Sequence, residues 1–229
     1  MRRGISGSKE GSSLLILSVD TSGNTASCAV VGDGVLLGSR MLYTARAHSQ
    51  ILLPMAKSLL CETGHTVQEV DLFAAANGPG SYTGLRIGVA LMQALAFAGE
   101  KQCAGISTLE GLAWNLSARS GVLCACLHAR LDLCYCAFFE SDGQTVRRLT
   151  DDQVLHAEEI ASMLNAYDAP VMVAGNGYEK ITALCPQAIP APLHLQNQSA
   201  CGIALAAMHA EPVAPEQLGV SYLQAVKIG

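Results

Sequence analysis

The sequence predicts an α/β protein of two lobes, each built on a mixed β-sheet flanked by helices. Two observations favour this class. The first half follows the order β-β-β-α-β-α-β-α, and a shortened form of the same order begins near Gly121. Strands and helices that alternate in this way fold into sheets covered by helices. We therefore expect a disordered leader at residues 1–13, an N-terminal lobe at 14–120, and a smaller C-terminal lobe at 121–229 with a terminal helix and tail.

Composition limits the function. The 229 residues can bury a real core, and half of them are hydrophobic while only 14% are charged. A mean hydropathy of +0.31 is apolar enough to predict that some surface is reserved for a partner. The net charge of −5 argues against a broad basic surface that grips nucleic acid directly. The longest apolar run, Ile87–Ala98, is 12 residues and too short to span a bilayer, so no membrane association is expected.

Nine cysteines are scattered along the chain, and an odd number cannot close into a complete disulfide set. No apolar export segment precedes Leu14. These features predict a reducing, cytoplasmic location in which most thiols are small buried groups.

The first lobe opens with a three-stranded meander, because "GDG" at Gly32–Gly34 is a hairpin signal. Apolar periodicity then separates the helices from the strands. The predicted elements are strands Leu14–Val19, Thr25–Val31, Val35–Leu42, Asp71–Ala76 and Gln102–Ile106, and helices His48–Glu62, Gly84–Gly99 and Thr108–Ala118.

The second lobe shows the same kinds of segment in shorter form. The predicted elements are strands Val122–Leu127, Leu133–Phe139, Thr145–Leu149 and Pro170–Ala174, and helices Ala157–Leu164, Gly177–Leu184 and Ser199–His209.

The stretch Asn77–Gly88, "NGPGSYTGLRIG", raises the main functional question. A P-loop needs a lysine where Leu85 stands, a dinucleotide fingerprint needs a glycine at Thr83, and the spacing around Ser81 fails the nucleophile elbow. What remains is a glycine at every fourth position of an almost wholly apolar helix. Such a helix needs cover on both sides, which predicts a helix-to-helix association surface, with ordinary internal packing as the alternative.

Three further groups are candidates for chemistry. Asp20, Thr21 and Ser22 lie in a turn between two strands that could hold a nucleotide phosphate, and an ordinary turn explains them equally well. No sequence-local catalytic triad is visible, although His48 and Ser81 could meet in space.

Four cysteines alternate on two predicted strands: Cys124, Cys126, Cys134 and Cys136. Residues i and i+2 of a strand lie about 6–7 Å apart, which is too far for thiolates that must converge on zinc. We therefore expect four thiols on one buried face of a hairpin and no metal site.

Several motifs, in order along the chain, resemble the bacterial TsaB (YeaZ) family: "LLILSVDTS", "AHSQILLPM", "GPGSYTGLRIG", "GISTLEGLA", "GNGYEKI" and "VSYLQ". The resemblance covers Leu14 to the end of the chain. It implies the ASKHA fold, two ribonuclease-H-like lobes as in actin and sugar kinases. It also implies a part in making N6-threonylcarbamoyladenosine at position 37 of tRNAs that read ANN codons.

In that family the TsaB protein is the non-catalytic partner of TsaD and assembles with it and with the ATPase TsaE. The resemblance therefore implies a chain that has no cofactor of its own, since ATP and metal belong to the partners, and that meets tRNA only through the complex. Without a partner the same surface is expected to form a homodimer. The stretch "TLEGL" places Thr108 and Leu112 where TsaD-like proteins have two metal-binding histidines.

The expected partner interface lies on the helices His48–Glu62 and Gly84–Gly99. Its residues are His48, Leu52, Met55, Gly84, Arg86, Gly88, Leu91 and Leu95. Two alternatives stay open: a peptidase of the glycoprotease kind and a nucleotide-binding, kinase-like enzyme. The chain also departs from its family, with "HARLDLCY" at His128–Tyr135 in place of an acidic motif, and with Ser221 and Gln224 in the tail.

Overall fold

The computed structural model describes residues 14–44 and 48–223. The first sheet has five strands in the order β3-β2-β1-β4-β5. Strands β1, β2 and β3 pair antiparallel, while β4 and β5 run parallel to β1. The strands are β1 Leu15–Asp20, β2 Thr25–Gly32, β3 Val35–Tyr43, β4 Leu72–Gly78 and β5 Gln102–Ser107.

Helices α1 (His48–Glu62) and α2 (Tyr82–Gly99) cover one face of this sheet. Every residue of β1 is buried, so both faces of the strand need cover. Odd-numbered β1 residues such as Leu17 pack in a core with α1 and α2. Ile16 points to the opposite face and packs in a second core with α6 (Ala200–Ala207).

The second sheet has the order β11-β10-β6-β7-β8, with β9 also pairing with β7. Its strands are β6 Gly121–Arg130, β7 Leu133–Ser141, β8 Val146–Arg148, β9 Gln153–His156, β10 Val171–Ala174 and β11 Ala188–Pro190. Helices α4 (Ala157–Leu164) and α5 (Tyr178–Leu184) pack on one face. Helix α3 (Thr108–Trp114) packs on the other face, through Leu109 and Leu112.

The structure confirms the α/β class with two mixed sheets flanked by helices. Most predicted elements lie within two residues of the observed bounds. Helix α3 ends four residues early, because Leu116 and Ser117 bond to carbonyls three residues back and turn the chain out of the α-helix. Strand β6 extends three residues further, to Arg130. Strands β9 and β11 were not predicted, since each has only three or four residues and is defined by the neighbour that it pairs with.

The terminal helix differs most from expectation, because α6 packs on the first sheet and on α3 rather than in the second lobe. Its small residues allow this, since a Cβ atom added at Gly202 would lie 1.9 Å from the carbonyl oxygen of Gly111. The division at residues 120 and 121 stays a prediction, and the predicted leader lies outside the described residues. Among the described helices, none is both long and apolar enough to cross a membrane.

Candidate functional site

The glycines of the "NGPGSYTGLRIG" stretch accommodate the chain's own β1–β2 turn. Thr21 Oγ1 donates to the carbonyl oxygen of Gly84 (2.7 Å), and the backbone N–H of Ser81 donates to the carbonyl oxygen of Ser22 (2.7 Å). A Cβ atom added at Gly84 would lie 2.0 Å from the backbone oxygen of Thr21, and one at Gly88 would lie 2.7 Å from Thr21 Oγ1. The placement of Gly84 and Gly88 in a partner interface is therefore wrong, because both are buried against the turn.

Asp20, at the start of this turn, is buried and holds the turn together by hydrogen bonds. The carboxylate of Asp20 is 1% exposed and accepts hydrogen bonds from the backbone N–H (2.8 Å) and the hydroxyl (2.6 Å) of Ser22. Burial raises the pKa of Asp20 from 3.8 to about 6, and the two bonds from Ser22 offset part of that rise. Of the three nucleotide-site candidates only Ser22 lines the cleft described next, while Asp20 and Thr21 face the interior.

A cleft of about 540 Å³ opens between the two lobes. The first lobe contributes hydroxyl and imidazole groups, and the second adds more polar groups. Among the described residues that line the cleft there is no aspartate or glutamate. Its polar lining residues are Ser22, Asn24, Thr44, His48, Ser49, Ser81, Thr83, His128, Tyr135, Asn176 and Gln198.

His48 and Ser81 both line this cleft, but each is engaged elsewhere. Ser81 Oγ accepts a hydrogen bond from the backbone N–H of Gly84 (3.3 Å) and so caps α2. His48 Nε2 lies 3.3 Å from the carbonyl oxygen of Thr44. Within the part of the chain that the structure describes, the two side chains do not hydrogen-bond to each other, and Ser81 therefore lacks the adjacent base that a serine nucleophile needs.

Helix α1 offers fewer exposed residues for a partner interface than the sequence predicted. Leu52 is 1% exposed and Met55 is 6% exposed, and both belong to the core under α1 and α2. Their assignment to a partner interface is wrong, because the apolar stripe of α1 is directed at its own sheet. His48 is half-buried at the mouth of the cleft.

Helix α2 keeps one open row, here called the α2 ridge. It consists of the exposed residues Tyr82, Arg86, Ala90, Ala94 and Phe97. Leu91 and Leu95 lie beside this row, half-buried against the core.

Aromatic and cationic contacts hold the first turn of the α2 ridge in place. The ring of Tyr82 stacks on Tyr222 with centroids 5.3 Å apart. The guanidinium of Arg86 lies 5.4 Å from the Tyr82 ring centroid and donates to the Tyr82 hydroxyl (2.9 Å).

The C-terminal segment covers the other flank of α2. Gln93 Nε2 donates to the carbonyl oxygens of Pro215 (2.8 Å) and Leu218 (2.9 Å). The expectation that both sides of α2 need cover is thus met in part by the chain itself, through its core and this segment. What remains open is the α2 ridge.

The structure confirms the prediction that the four cysteines of the second sheet are buried. Cys124, Cys126, Cys134 and Cys136 are all 0% exposed and lie in the core between the second sheet and helices α4 and α5. Burial raises the pKa of Cys136 to about 12, so this thiol stays protonated.

Another cluster of side chains lies close enough together to bind one metal ion. Asp132, His156 and Glu158 bring ligand atoms within 4.8 Å of one another. His156 Nδ1 is 2.7 Å from Asp132 Oδ2, and this contact raises the pKa of His156 and lowers that of Asp132. The ion pair explains this contact, and no sequence signal joins two residues that lie 24 positions apart in the chain.

Thr108 and Leu112, which the resemblance places where TsaD-like proteins have two metal-binding histidines, are buried. Thr108 is 0% exposed and Leu112 is 1% exposed. Leu112 lies among apolar side chains of the second sheet and cannot ligate a metal.

Comparison with solved structures shows the same fold in the ROK hexokinase from Thermus thermophilus. The match has a TM-score of 0.50 and 11% identity, and it covers 84% of this chain and 98% of that one. The two helix-flanked sheets thus have the actin-like (ASKHA) fold.

The family model described as "TsaD: tRNA N6-adenosine threonylcarbamoyltransferase" matches residues 42–227. A solved Pseudomonas aeruginosa protein, described as similar to peptidase YeaZ, is 30% identical, with a TM-score of 0.80 over 92% of this chain and 100% of that one. The tRNA threonylcarbamoyladenosine biosynthesis protein TsaB of Bacillus subtilis is 29% identical over 71% of each chain. The chain therefore belongs to the TsaD family, and its relatives place it in the TsaB (YeaZ) branch.

Proposed function

We propose that the chain is a non-catalytic scaffold subunit for the synthesis of threonylcarbamoyladenosine at position 37 of tRNAs that read ANN codons. It acts in the cytoplasm by binding a TsaD-like catalytic subunit and supporting a TsaE-like ATPase. It meets tRNA only within that assembly, and the partners supply ATP and metal. The name of the Bacillus subtilis relative supports the pathway.

The observation that carries the proposal is the α2 ridge. Its two central residues are alanines, which let a second helix approach closely, and Tyr82 and Phe97 at its ends are 57% and 58% exposed. Aromatic side chains of this kind are frequent anchors of protein interfaces.

The match to the TsaD family model supports the choice of partner. Because the model covers most of this chain, a TsaD-like protein shares its fold and carries a counterpart of α2. Two counterpart helices can pack across a pseudo-two-fold axis, as identical surfaces do in symmetric dimers. Of the interface residues named from the sequence, Arg86 lies on the α2 ridge, Leu91 and Leu95 border it, and His48 lies at the mouth of the cleft.

Three features of the site support the proposal that this chain does not itself catalyse the reaction. Ser81 caps a helix, His48 lies next to a backbone carbonyl, and Leu112 is a core residue. None of these arrangements presents an activated nucleophile to the cleft.

Ala94→Glu tests the proposal on the ridge itself. The substitution places a charge in the centre of the expected helix contact, while residue 94 is exposed and the fold is spared. We expect co-purification with the TsaD-like subunit to be lost, and tRNA threonylcarbamoylation by the reconstituted system to fall at least tenfold.

Leu193→Glu is the matched control, because Leu193 is 83% exposed on the segment that follows β11. This variant should bind the partner and support modification like the wild type. Full co-purification and activity of the Ala94→Glu protein would show that the α2 ridge is not the docking surface.

A further inference from the structure

The cleft between the lobes plays no part in the proposed function, and it is lined by the starts of two long helices. His48 and Ser49 are the first residues of α1, which has 15 residues, and Ser81 caps α2, which has 18. The first backbone N–H groups of a helix point outward, and each helix start carries the equivalent of about half a positive charge. The two starts together therefore place about one unit of positive charge at the cleft.

No acidic side chain in their first turns neutralises these two helix starts. The first turns of α1 and α2 contain no aspartate or glutamate, whereas those of α3, α4 and α5 each contain at least one. Acidic residues at this position stabilise a helix by compensating its dipole. The described residues that line the cleft also include no lysine or arginine. The cleft is thus weakly positive, which favours a ligand with a single negative charge.

A buried amide gives independent evidence for a ligand. Gln198 lines the cleft and is 6% exposed, and among the described residues its side chain has no hydrogen-bond partner. The amide lies against the β1–β2 turn, because a Cβ atom added at Gly23 would lie 2.6 Å from Gln198 Nε2.

Gln196 shows what a satisfied amide looks like in the same segment. It is 7% exposed, its Oε1 accepts from the backbone N–H of Gly175 (3.1 Å), and its Nε2 donates to the carbonyl oxygen of Ala191 (2.9 Å). Leaving a buried amide without partners is unfavourable, and native folds rarely do so. The amide of Gln198 is therefore directed at a group that a ligand supplies.

The second lobe adds neutral polar groups to the cleft. Asn176 Oδ1 accepts a hydrogen bond from the backbone N–H of His128 (2.8 Å), and among the described residues the NH₂ group of Asn176 has no partner. Tyr135 lines the cleft beside it. Amide and phenol groups bind uncharged donors and acceptors. The volume of about 540 Å³ exceeds what a carboxylate alone needs, so there is room for an uncharged polar body as well.

We propose that the cleft binds a small organic acid, a molecule with one carboxylate and an uncharged polar body. The carboxylate lies at the starts of α1 and α2, where backbone N–H groups and the hydroxyl of Thr83 can donate to it. The amides of Gln198 and Asn176 bind the polar body. A free amino acid fits less well, because no described residue of the cleft is acidic and able to pair with its ammonium group.

The same features argue against magnesium ATP, the type of ligand that the turn at Asp20 suggested from the sequence. ATP carries several negative charges, and its magnesium ion is usually bound through one or two protein carboxylates. The carboxylate of Asp20 is 1% exposed and accepts from the hydroxyl of Ser22 instead. The proposed acid site uses other residues of α2 than the α2 ridge, so it does not depend on the proposed function.

N-acetyl-L-serine is a suitable probe, since it has one carboxylate, one amide and one hydroxyl group. Titration into the ¹⁵N-labelled full chain, followed by NMR, should shift the side-chain amide signals of Gln198 saturably, with a dissociation constant of about 10 mM or lower. N-acetyl-L-serinamide, which lacks the charge, should bind at least tenfold more weakly. The absence of a saturable shift, equal affinity for the acid and its amide, or tighter binding of magnesium ATP overturns the proposal.

Thr83→Asp and Thr83→Asn separate the charge of the site from its shape. Residue 83 is exposed in the first turn of α2, so both variants should fold, and an aspartate there stabilises the helix. The aspartate repels the acid and should weaken its binding at least tenfold, whereas the asparagine variant should bind like the wild type. Unchanged affinity in Thr83→Asp would show that the helix start does not hold the carboxylate.

Gln198→Leu tests the buried amide. Because this amide has no partner in the described fold, leucine should leave stability in urea unchanged or raise it, while affinity for N-acetyl-L-serine falls at least tenfold. Gln144→Leu makes the same change at an exposed residue between β7 and β8, and should bind like the wild type. Full binding by Gln198→Leu, or an equal loss in both variants, contradicts the site.

Discussion

Gly84 shows how one residue can carry two opposite interpretations. A glycine on an apolar helix fits close contact with another protein, but here the close contact is with the backbone of Thr21 in the same chain. Gly84→Leu is therefore expected to disturb the fold itself and not only a contact with a partner. The clash is with a backbone oxygen, which cannot rotate away as a flexible side chain can.

Gly84→Ala should destabilise the protein by about 2–3 kcal/mol, because overpacking against fixed backbone forces the strand turn and the helix apart. Urea denaturation followed by circular dichroism measures this loss. Gly99→Ala is the control in the same helix, since its added Cβ would meet only a Lys101 side-chain carbon at 3.4 Å. It should be neutral or slightly stabilising, and an equal loss in both variants would argue against the contact with Thr21.

Asp20 makes stability depend on pH. Its pKa is raised from 3.8 to about 6 in the folded state, so the folded protein binds a proton more tightly than the unfolded chain. The contribution of this group to stability is therefore fully present below pH 3.8 and is lost as the pH rises through 6.

Asp20→Asn mimics the protonated side chain and should remove this loss. Relative to the wild type, the variant should gain about 2–3 kcal/mol between pH 4 and pH 7, from the size of the pKa shift. Chemical denaturation at the two pH values measures the difference. A difference between the two proteins that is the same at pH 4 and pH 7 would show that Asp20 keeps an ordinary pKa.

At the scale of elements, the C-terminal segment decides how much of α2 is open. Gln93 is the polar interruption of an otherwise apolar helix, and it donates to two carbonyls of this segment. The stacked rings of Tyr82 and Tyr222 fasten the same segment near the start of α2. The segment thus limits the apolar area that α2 offers to a partner.

Gln93→Leu should release this segment, because the carbonyls of Pro215 and Leu218 lose their hydrogen-bond donor. Glutamine and leucine have similar helix propensities, so the substitution should not weaken α2 itself. Limited proteolysis should then cut the chain between residues 213 and 222 at least several-fold faster than in the wild type. Gln50→Leu, at an exposed position of α1, is the control and should leave the cleavage rate unchanged. Equal rates in all three proteins would mean that packing alone holds the segment.

The sequence predicts secondary-structure elements well where apolar periodicity is strong. It predicts them poorly where pairing with another element determines whether a segment becomes a strand. Helix α1 and helix α4 have the predicted bounds because their apolar residues recur at helical spacing. Strand β11 is three residues long and ends in Pro190, so only pairing with β10 makes it a strand. The apolar pattern of α2 identified a buried helix, but spacing alone could not show which neighbour approaches its glycines.

At the scale of the whole molecule, the two lobes share helix α3. One side of α3 packs against α6, where Gly111 and Gly202 come close, and the other packs Leu109 against the second sheet. A boundary drawn from element order alone cannot show this shared core, because it arises from segments far apart in the chain. The relative position of the lobes therefore depends on contacts around α3.

Near α3, Arg148 makes the main polar contacts between the two lobes. It lies on β8 and donates to Glu110 of α3 (2.9 Å) and to Asp152 (2.6 Å), with its guanidinium 4.7 Å from the Phe139 ring centroid. Ser107, at the end of β5, donates to the other oxygen of Asp152 (2.7 Å). The group thus connects the end of the first sheet to the second sheet.

Arg148→Met should lower stability by about 1–3 kcal/mol, less than for a fully buried ion pair because the side chains keep some contact with solvent. The loss leaves Glu110 and Asp152 without their shared cation, so Glu110→Gln in the same chain should recover part of it. A double-mutant cycle measured by urea denaturation gives the coupling between Arg148 and Glu110. Strictly additive effects would show that the ion pair between Arg148 and Glu110 adds no stability, and the guanidinium would then join the lobes through Asp152 and through its packing on Phe139.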